Sequence, residues 1–198
     1  LHYPLRRQRQ MCIRDRFITG ATSGIGLATV ITLVDAGIKV IMNYAHDDKR
    51  AMDLKDSMGE GMAELLKADV SQVENIPDIS KKIFTLSDRL DYVIFNAGYP
   101  SPVDFAVVSE MEWDNVFDMH VKVPFFLLQE LKDKINDNGR IIFISSVLGK
   151  YPHARGAHYG ISKNAQFMMC KYLAPIFAKR NITVNVIAPG FIDTGFHD

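Results

Sequence analysis

Three observations predict an α/β fold: a doubly wound parallel sheet with helices on both faces, in three α/β/α layers. Short β-branched runs alternate with longer helical patterns along the chain. A glycine-rich turn, TGATSGIG at 19–26, links the first run to the first helix. The run DYVIFNAG at 91–98 reads as a buried strand that closes on a glycine turn. Alternation of this kind implies parallel βαβ units joined by right-handed crossovers.

FIT (17–19) is the first strand, and the helix after the glycine turn runs to about Ala36, where Gly37 stops it. KVIMN (39–43) is the second strand, Asp47 to Met58 reads as helix, and AELLKA (63–68) is the third strand. Ser71 to Ser87 is broadly helical despite Pro77. After 91–98 comes a helix over 110–133 that contains His120 and, four residues on, Pro124. A proline there ordinarily breaks or kinks a helix. RIIFIS (140–145) is the fifth strand, 158–179 a long helix and ITVNVIA (182–188) a sixth strand. Residues 1–15 are basic and lack periodicity, so they are expected to form a disordered leader, with 16–198 as a single domain.

A chain of 198 residues with 47% hydrophobic content suits one domain with a sizeable core. Lys plus Arg and Asp plus Glu both number 23, leaving no net charge to attract nucleic acid or an anionic membrane. Cys12 and Cys170 are far apart, which suits a reducing cytoplasm and provides no disulfide framework. No apolar run approaches the length of a membrane span. His46, His120, His153, His158 and His197 form no metal-ligand pattern, so no metal is expected.

The glycine-rich turn lies where a dinucleotide site needs it, between a strand and a helix. Gly20 permits a tight turn, Gly24 lets the backbone approach a pyrophosphate, and Gly26 allows close helix–sheet packing. Thr22, Ser23 and Ile25 share that turn, and the helix N-terminus offers N–H groups and partial positive charge to phosphates. The spacing is G-x-x-x-G-x-G, and a lone turn of this kind is weak evidence. At the end of the second strand an acid would bind the adenosine ribose hydroxyls of NAD. This chain has Asn43 and Tyr44 there and no acid before Asp47, which favours NADP(H). Lys49 and Arg50 are near enough to be considered for a 2′-phosphate, although a solvated helix start is the stronger reading of both. Asp69 and Val70 would flank the adenine, and Asn96, Ala97 and Gly98 the ribose.

Ser146, followed by HYGISK with Tyr159 and Lys163, carries the chemistry. Residues four apart share a helix face, so the Lys163 ammonium is expected near the Tyr159 hydroxyl. A cation there would lower the phenol pKa towards neutrality and fit it for proton transfer at a carbonyl or alcohol oxygen. Ser146 can donate a hydrogen bond to the same oxygen, whereas Ser145 points to the opposite face of its strand.

TGATSGIG, ADV, FNAG, the strand-end Ser146, YGISK and APGFIDT together, in this order, resemble the short-chain dehydrogenase/reductase family over roughly residues 16–196. Within it the sequence is most similar to 3-oxoacyl-[acyl-carrier-protein] reductases. The resemblance implies a Rossmann-like fold, NADP(H) or NAD(H) as cofactor, and reduction of a carbonyl, for example a 3-oxoacyl thioester, or oxidation of a secondary alcohol. It implies Tyr159 as acid or base, Lys163 as its tuner and a ribose ligand, and Ser146 as the group polarising the substrate oxygen. Pro189, Gly190, Ile192 and Thr194 would hold the nicotinamide end. The resemblance further implies a homodimer or homotetramer, and a substrate-covering segment and final strand beyond Asp198. Phe95 stands where the family often has another Asn. A non-catalytic NADP(H)-binding regulator is the competing reading, and Ser146, Tyr159 and Lys163 together argue against it.

The same alignment places His120 where the family's fourth catalytic residue is normally Asn, acting through its main-chain carbonyl. Pro124 lacks an N–H, so the carbonyl of residue 120 is expected to be free of its helical bond. His120 would then supply that carbonyl, with its imidazole perturbing the kink or adding a titrating group. His158 reads as a pocket-edge residue. Met168, Met169, Tyr172, Leu173 and Ile176 read as one packed helix face.

Overall fold

Twelve elements follow one another in the computed structural model, which describes residues 15–194: β1 (Arg16–Ile18), α1 (Gly24–Asp35), β2 (Val40–Tyr44), α2 (Asp48–Ser57), β3 (Ala63–Lys67), α3 (Ile76–Leu86), β4 (Leu90–Phe95), α4 (Glu110–Phe117), α5 (Val123–Leu131), β5 (Ile135–Ile144), α6 (Ala157–Ala178) and β6 (Thr183–Ile187). The strands form one parallel sheet in the order β3-β2-β1-β4-β5-β6. The chain therefore builds outwards from β1, crosses back to β4 and builds outwards the other way. That reversal opens a crevice at the carboxyl ends of β1 and β4, where ligands bind in sheets of this type. The expected leader 1–15 lies outside the described residues except for Asp15, whose carbonyl accepts from the Asp91 amide at 2.9 Å.

Strand residues alternate between two cores, as the two-residue period of a strand requires. Phe17, Ile41, Val93, Phe95, Ile141 and Phe143 pack with Ile79 and Ile83 of α3, Leu127 and Leu131 of α5, and Leu173 and Phe177 of α6. Ile18, Met42, Ile94 and Ile144 face the other way, onto Val30 of α1 with Leu33 and Leu54 beside it. Phe95, the departure noted in FNAG, stacks on Phe143 with ring centroids 5.1 Å apart, so an apolar residue has a defined place there.

Three elements depart from their expected form. The stretch 71–87 divides into a 3₁₀ turn, Val73–Asn75, and α3, with Pro77 in the first helical turn, where its missing N–H costs nothing. The fifth strand starts at Ile135, earlier than its apolar run, because residues 135–139 carry the pairing with β4 back to Leu90 across a register shift. The helix expected over 110–133 is two helices joined by a π turn, Asp118–Lys122. The face of α6 expected to be packed is divided as well. Leu173 is core, while Met168, Tyr172 and Ile176 are 44%, 72% and 65% exposed.

Candidate active site

The crevice between β1 and β4 is tied together by side chains that end the two strands. The Thr19 hydroxyl accepts from the amides of Asn96 and Ala97, each at 2.9 Å, and the Asn96 amide donates to the carbonyls of Thr19 and Gly20 at 3.1 and 3.0 Å. Asn43, 1% exposed, donates to the carbonyls of Leu66 and Ala68 and so fixes the ends of β2 and β3 against the same turn. Gly20 takes φ 62°, in the left-handed region. Gly26 has no room for a side chain: a Cβ would sit 2.2 Å from the Gly20 carbonyl oxygen.

Above these ends lies a cleft of about 820 Å³. Most residues expected at a cofactor line it: Gly20, Ser23, Gly24, Ile25, Asn43, Asp69, Val70, Asn96, Ala97, Gly98, Pro189, Gly190, Ile192 and Thr194. Thr22, Gly26 and Tyr44 do not. Thr22 turns its carbonyl to Arg50, which donates from Nε at 3.0 Å. Gly26 is filled by packing, and Tyr44 points back to donate to Asp48 at 3.0 Å. Arg50 and Ala45 take the wall that Tyr44 was expected to occupy, and Lys49 is not part of it. Asp47 caps α2 by accepting from the Arg50 amide, and Asp48 pairs with Lys67 at 2.6 Å. Among the described residues the Arg50 guanidinium therefore has no acidic partner. The N-terminus of α1 faces the cleft with no acid in its first turn, so the donor set suits a bound anion such as a pyrophosphate.

Ser146, Tyr159 and Lys163 come together on the β5 side of this cleft. Close approach of the loop after β5 to α6 makes this possible. A Cβ on Gly149 would lie 2.9 Å from the Asn164 nitrogen, and one on Gly160 would lie 3.1 Å from the Leu148 carbonyl oxygen. Ser145, expected to point to the opposite face, also lines the cleft, and its hydroxyl donates to the Lys163 carbonyl at 2.8 Å, anchoring the helix to the strand. Tyr159 and Lys163 are 8% and 3% exposed. The Lys163 Nζ lies 5.7 Å from the Tyr159 ring centre and donates to the Ile144 carbonyl at 3.1 Å.

The expected lowering of the Tyr159 phenol is not found. Burial pushes its pKa up, and the hydrogen bond with Ser146 pulls it down by less. Burial also lowers Lys163 to about 7, so the lysine does not bring a full charge to the phenol at neutral pH.

His120 is fully buried in the π turn and does not line the cleft. Its carbonyl, expected to be free opposite Pro124, accepts from the Gln166 side-chain amide at 2.9 Å. His158 is also buried rather than at the pocket edge, being 1% exposed. Its Nε2 meets the Ser101 hydroxyl at 2.5 Å, and that hydroxyl donates to the Glu112 carboxylate. This cluster ties the loop after β4, which lines the cleft, to α4 and α6. Nothing in the spacing of 101, 112 and 158 signals it.

The family model described as short chain dehydrogenase matches residues 16–198. The chain is 35% identical over 201 residues to a short-chain dehydrogenase/reductase of Pestalotiopsis microspora, covering 100% of this chain and 74% of that one. It is 31% identical to the 3-oxoacyl-[acyl-carrier-protein] reductase FabG of Thermotoga maritima, covering 96% and 77%. Among solved structures, the angucycline C-6 ketoreductase LanV with bound NADP superposes with a TM-score of 0.86 at 29% identity, covering 92% of this chain and 74% of that one.

Proposed function

Since the chain belongs to the short-chain dehydrogenase/reductase family and is thereby an NAD(P)-dependent oxidoreductase, we propose that it reduces a ketone with NADPH, with Tyr159 as the proton donor. The observation that carries this reading is the meeting of Ser146, Tyr159 and Lys163 on the wall of the cleft that holds the glycine-rich turn. Bound nicotinamide would supply the hydride. The chain's own residues do the rest. Ser146 donates a hydrogen bond to the carbonyl oxygen and polarises it. Tyr159, kept protonated by burial, transfers its proton to that oxygen as negative charge develops there. Lys163 stabilises the resulting phenolate.

Gly20, Ser23, Gly24 and Ile25 would hold the pyrophosphate, Asp69 and Val70 the adenine, Asn96, Ala97 and Gly98 with Tyr159 and Lys163 the ribose, and Pro189, Gly190, Ile192 and Thr194 the nicotinamide end. NADP(H) is favoured because Arg50 lines the adenosine end of the cleft without an acidic partner among the described residues. The substrate class that fits best is a 3-oxoacyl thioester, in keeping with similarity to FabG. Residues 16–198 act as one nucleotide-binding domain in the reducing cytoplasm, where Cys170 stays a free thiol. Exposed Tyr172 and Ile176 on α6 suit self-association as a dimer or tetramer.

The test is NADPH and NADH oxidation with an acetoacetyl thioester and a panel of ketones. Tyr159→Phe is expected to lower kcat by ~10²-fold or more while NADPH still binds, as loss of a general acid does. Arg50→Ala is expected to weaken NADPH and leave NADH unchanged. Turnover surviving in Tyr159→Phe sinks the mechanism, a preference for NADH sinks the cofactor assignment, and binding of NADPH without turnover on any ketone makes the chain a regulator.

A further inference from the structure

His120 shares the floor of the active site with Lys163, though neither its carbonyl nor its ring opens to the cleft. Two independent hydrogen bonds define its state. The Ser162 hydroxyl donates to the Tyr159 carbonyl at 2.7 Å, so towards the His120 ring, 2.9 Å away, it has only lone pairs to offer. Nδ1 must therefore carry the hydrogen, and Nε2 is left as a bare acceptor. That Nε2 is buried and has no hydrogen-bond partner among the described residues.

Nε2 is aimed at the active site. A Cβ placed on Gly98 would lie 2.9 Å from the His120 Nε2 and 3.5 Å from the Lys163 Nζ. One point in space thus borders both atoms, and glycine at 98 keeps it clear. The ring also meets Tyr159 edge-on at 5.4 Å and lies 6.1 Å from the ring of Tyr99. Burial holds the imidazole neutral, with Lys163 and then His158 adding to that effect. A buried acceptor without a partner, facing a buried ammonium with donors to spare, is half of a charge-assisted hydrogen bond.

We infer that His120 is a positioning residue whose Nε2 accepts a hydrogen bond from the Lys163 ammonium, directly or across one water, and so holds that lysine charged beneath Tyr159. This rests on Tyr159 and Lys163 being the proton-handling pair. The side chain, rather than the main-chain carbonyl bound to Gln166, is then the working part of residue 120.

Three variants test it with NADPH and the best ketone found. His120→Leu removes the acceptor. His120→Gln returns an amide oxygen at the reach of Nε2, and His120→Asn ends one bond short. His120→Leu and His120→Asn are expected to lose ~10- to 100-fold in kcat, the range a hydrogen bond to a charged group supports, and His120→Gln to recover most of it. NADPH affinity should change little in all three. Reduction needs the charged lysine, so kcat falls as pH rises through the Lys163 titration, and loss of the acceptor should move that fall to lower pH.

A structural role alone would lower kcat and leave the alkaline limb in place, and that result overturns the inference. Equal rates in all three variants overturn it too. If the variants do not fold, the wild-type protein still decides. Its His120 should give a protonated Nδ1 and an unprotonated Nε2 in ¹⁵N NMR from pH 6 to 8, and a hydrogen on Nε2 rejects the idea. Turnover retained in Tyr159→Phe would instead show that the parent mechanism is wrong.

Discussion

Lys163 is almost wholly buried, and the bond the structure gives its ammonium is to the carbonyl of Ile144. Burial lowers its pKa from 10.5 to about 7, so folding works against the charged form. The unfolded chain binds the extra proton between those two values. Stability therefore rises with pH across that window, and the full cost of the buried charge is felt below it. Lys163→Met is expected to make the free protein more stable near pH 7 by ~1–4 kcal/mol, the range seen when buried charges give way to apolar groups. The gain should shrink towards pH 10.5. Urea unfolding at several pH values measures both, and a less stable variant would contradict this. The same residue shows what could be read beforehand. Tyr159 and Lys163 were legible because four residues on a helix fix their relation in any fold. The direction of their pKa values was not, because it depends on how deeply distant segments bury them. Arg50 and Tyr44 exchanged places for a similar reason, since which of them faces the cleft is decided by Asp48 and by the Thr22 carbonyl.

Between α4 and α5 the chain takes a π turn, with the Val123 amide bonding the Asp118 carbonyl, and Pro124, four residues after His120, has no N–H to give the α-helical bond to the His120 carbonyl. Gln166 fills that gap from α6. The two elements are thereby locked, and the lock fixes the turn carrying His120 against the turn carrying Tyr159. Gln166→Leu is expected to cost ~1–3 kcal/mol, the penalty of a buried carbonyl left unpaired. Pro124→Ala restores an N–H at the vacated position, so in that background the same change should cost less. A double-mutant cycle by chemical denaturation reads the difference, and additive effects would mean that the proline and the glutamine act separately. Pro124 announced an interruption in the sequence, and the helix pattern around it was plain. The donor on another helix was invisible, since no local rule relates 166 to 120. The Glu112–Ser101–His158 cluster was hidden in the same way.

Across the molecule, the alternation of apolar runs and helical patterns was enough to give the sheet its direction and layers. It could not give the backward extension of β5 to Ile135, which follows from pairing rather than from apolar content. The cleft draws its walls from residue 20 to residue 194, so a dinucleotide that binds there binds only the folded chain. NADPH at a hundred times its Kd is expected to add ~2.7 kcal/mol of stability, read as a raised Tm. It should also slow proteolytic cleavage within 189–194, and unchanged cleavage there would place the nicotinamide end elsewhere.

A Cβ on Gly24 would touch the side chain of Thr194 at 3.3 Å, so the turn that opens α1 meets the segment that follows β6. A chain is made from its N-terminus at a finite pace. During synthesis the phosphate-binding turn thus emerges well before its opposing wall. A nascent chain halted just after β6 would have β1 to β6 available and would still lack one side of its nucleotide cleft. The cofactor should select chains extended past Thr194 over those arrested before it.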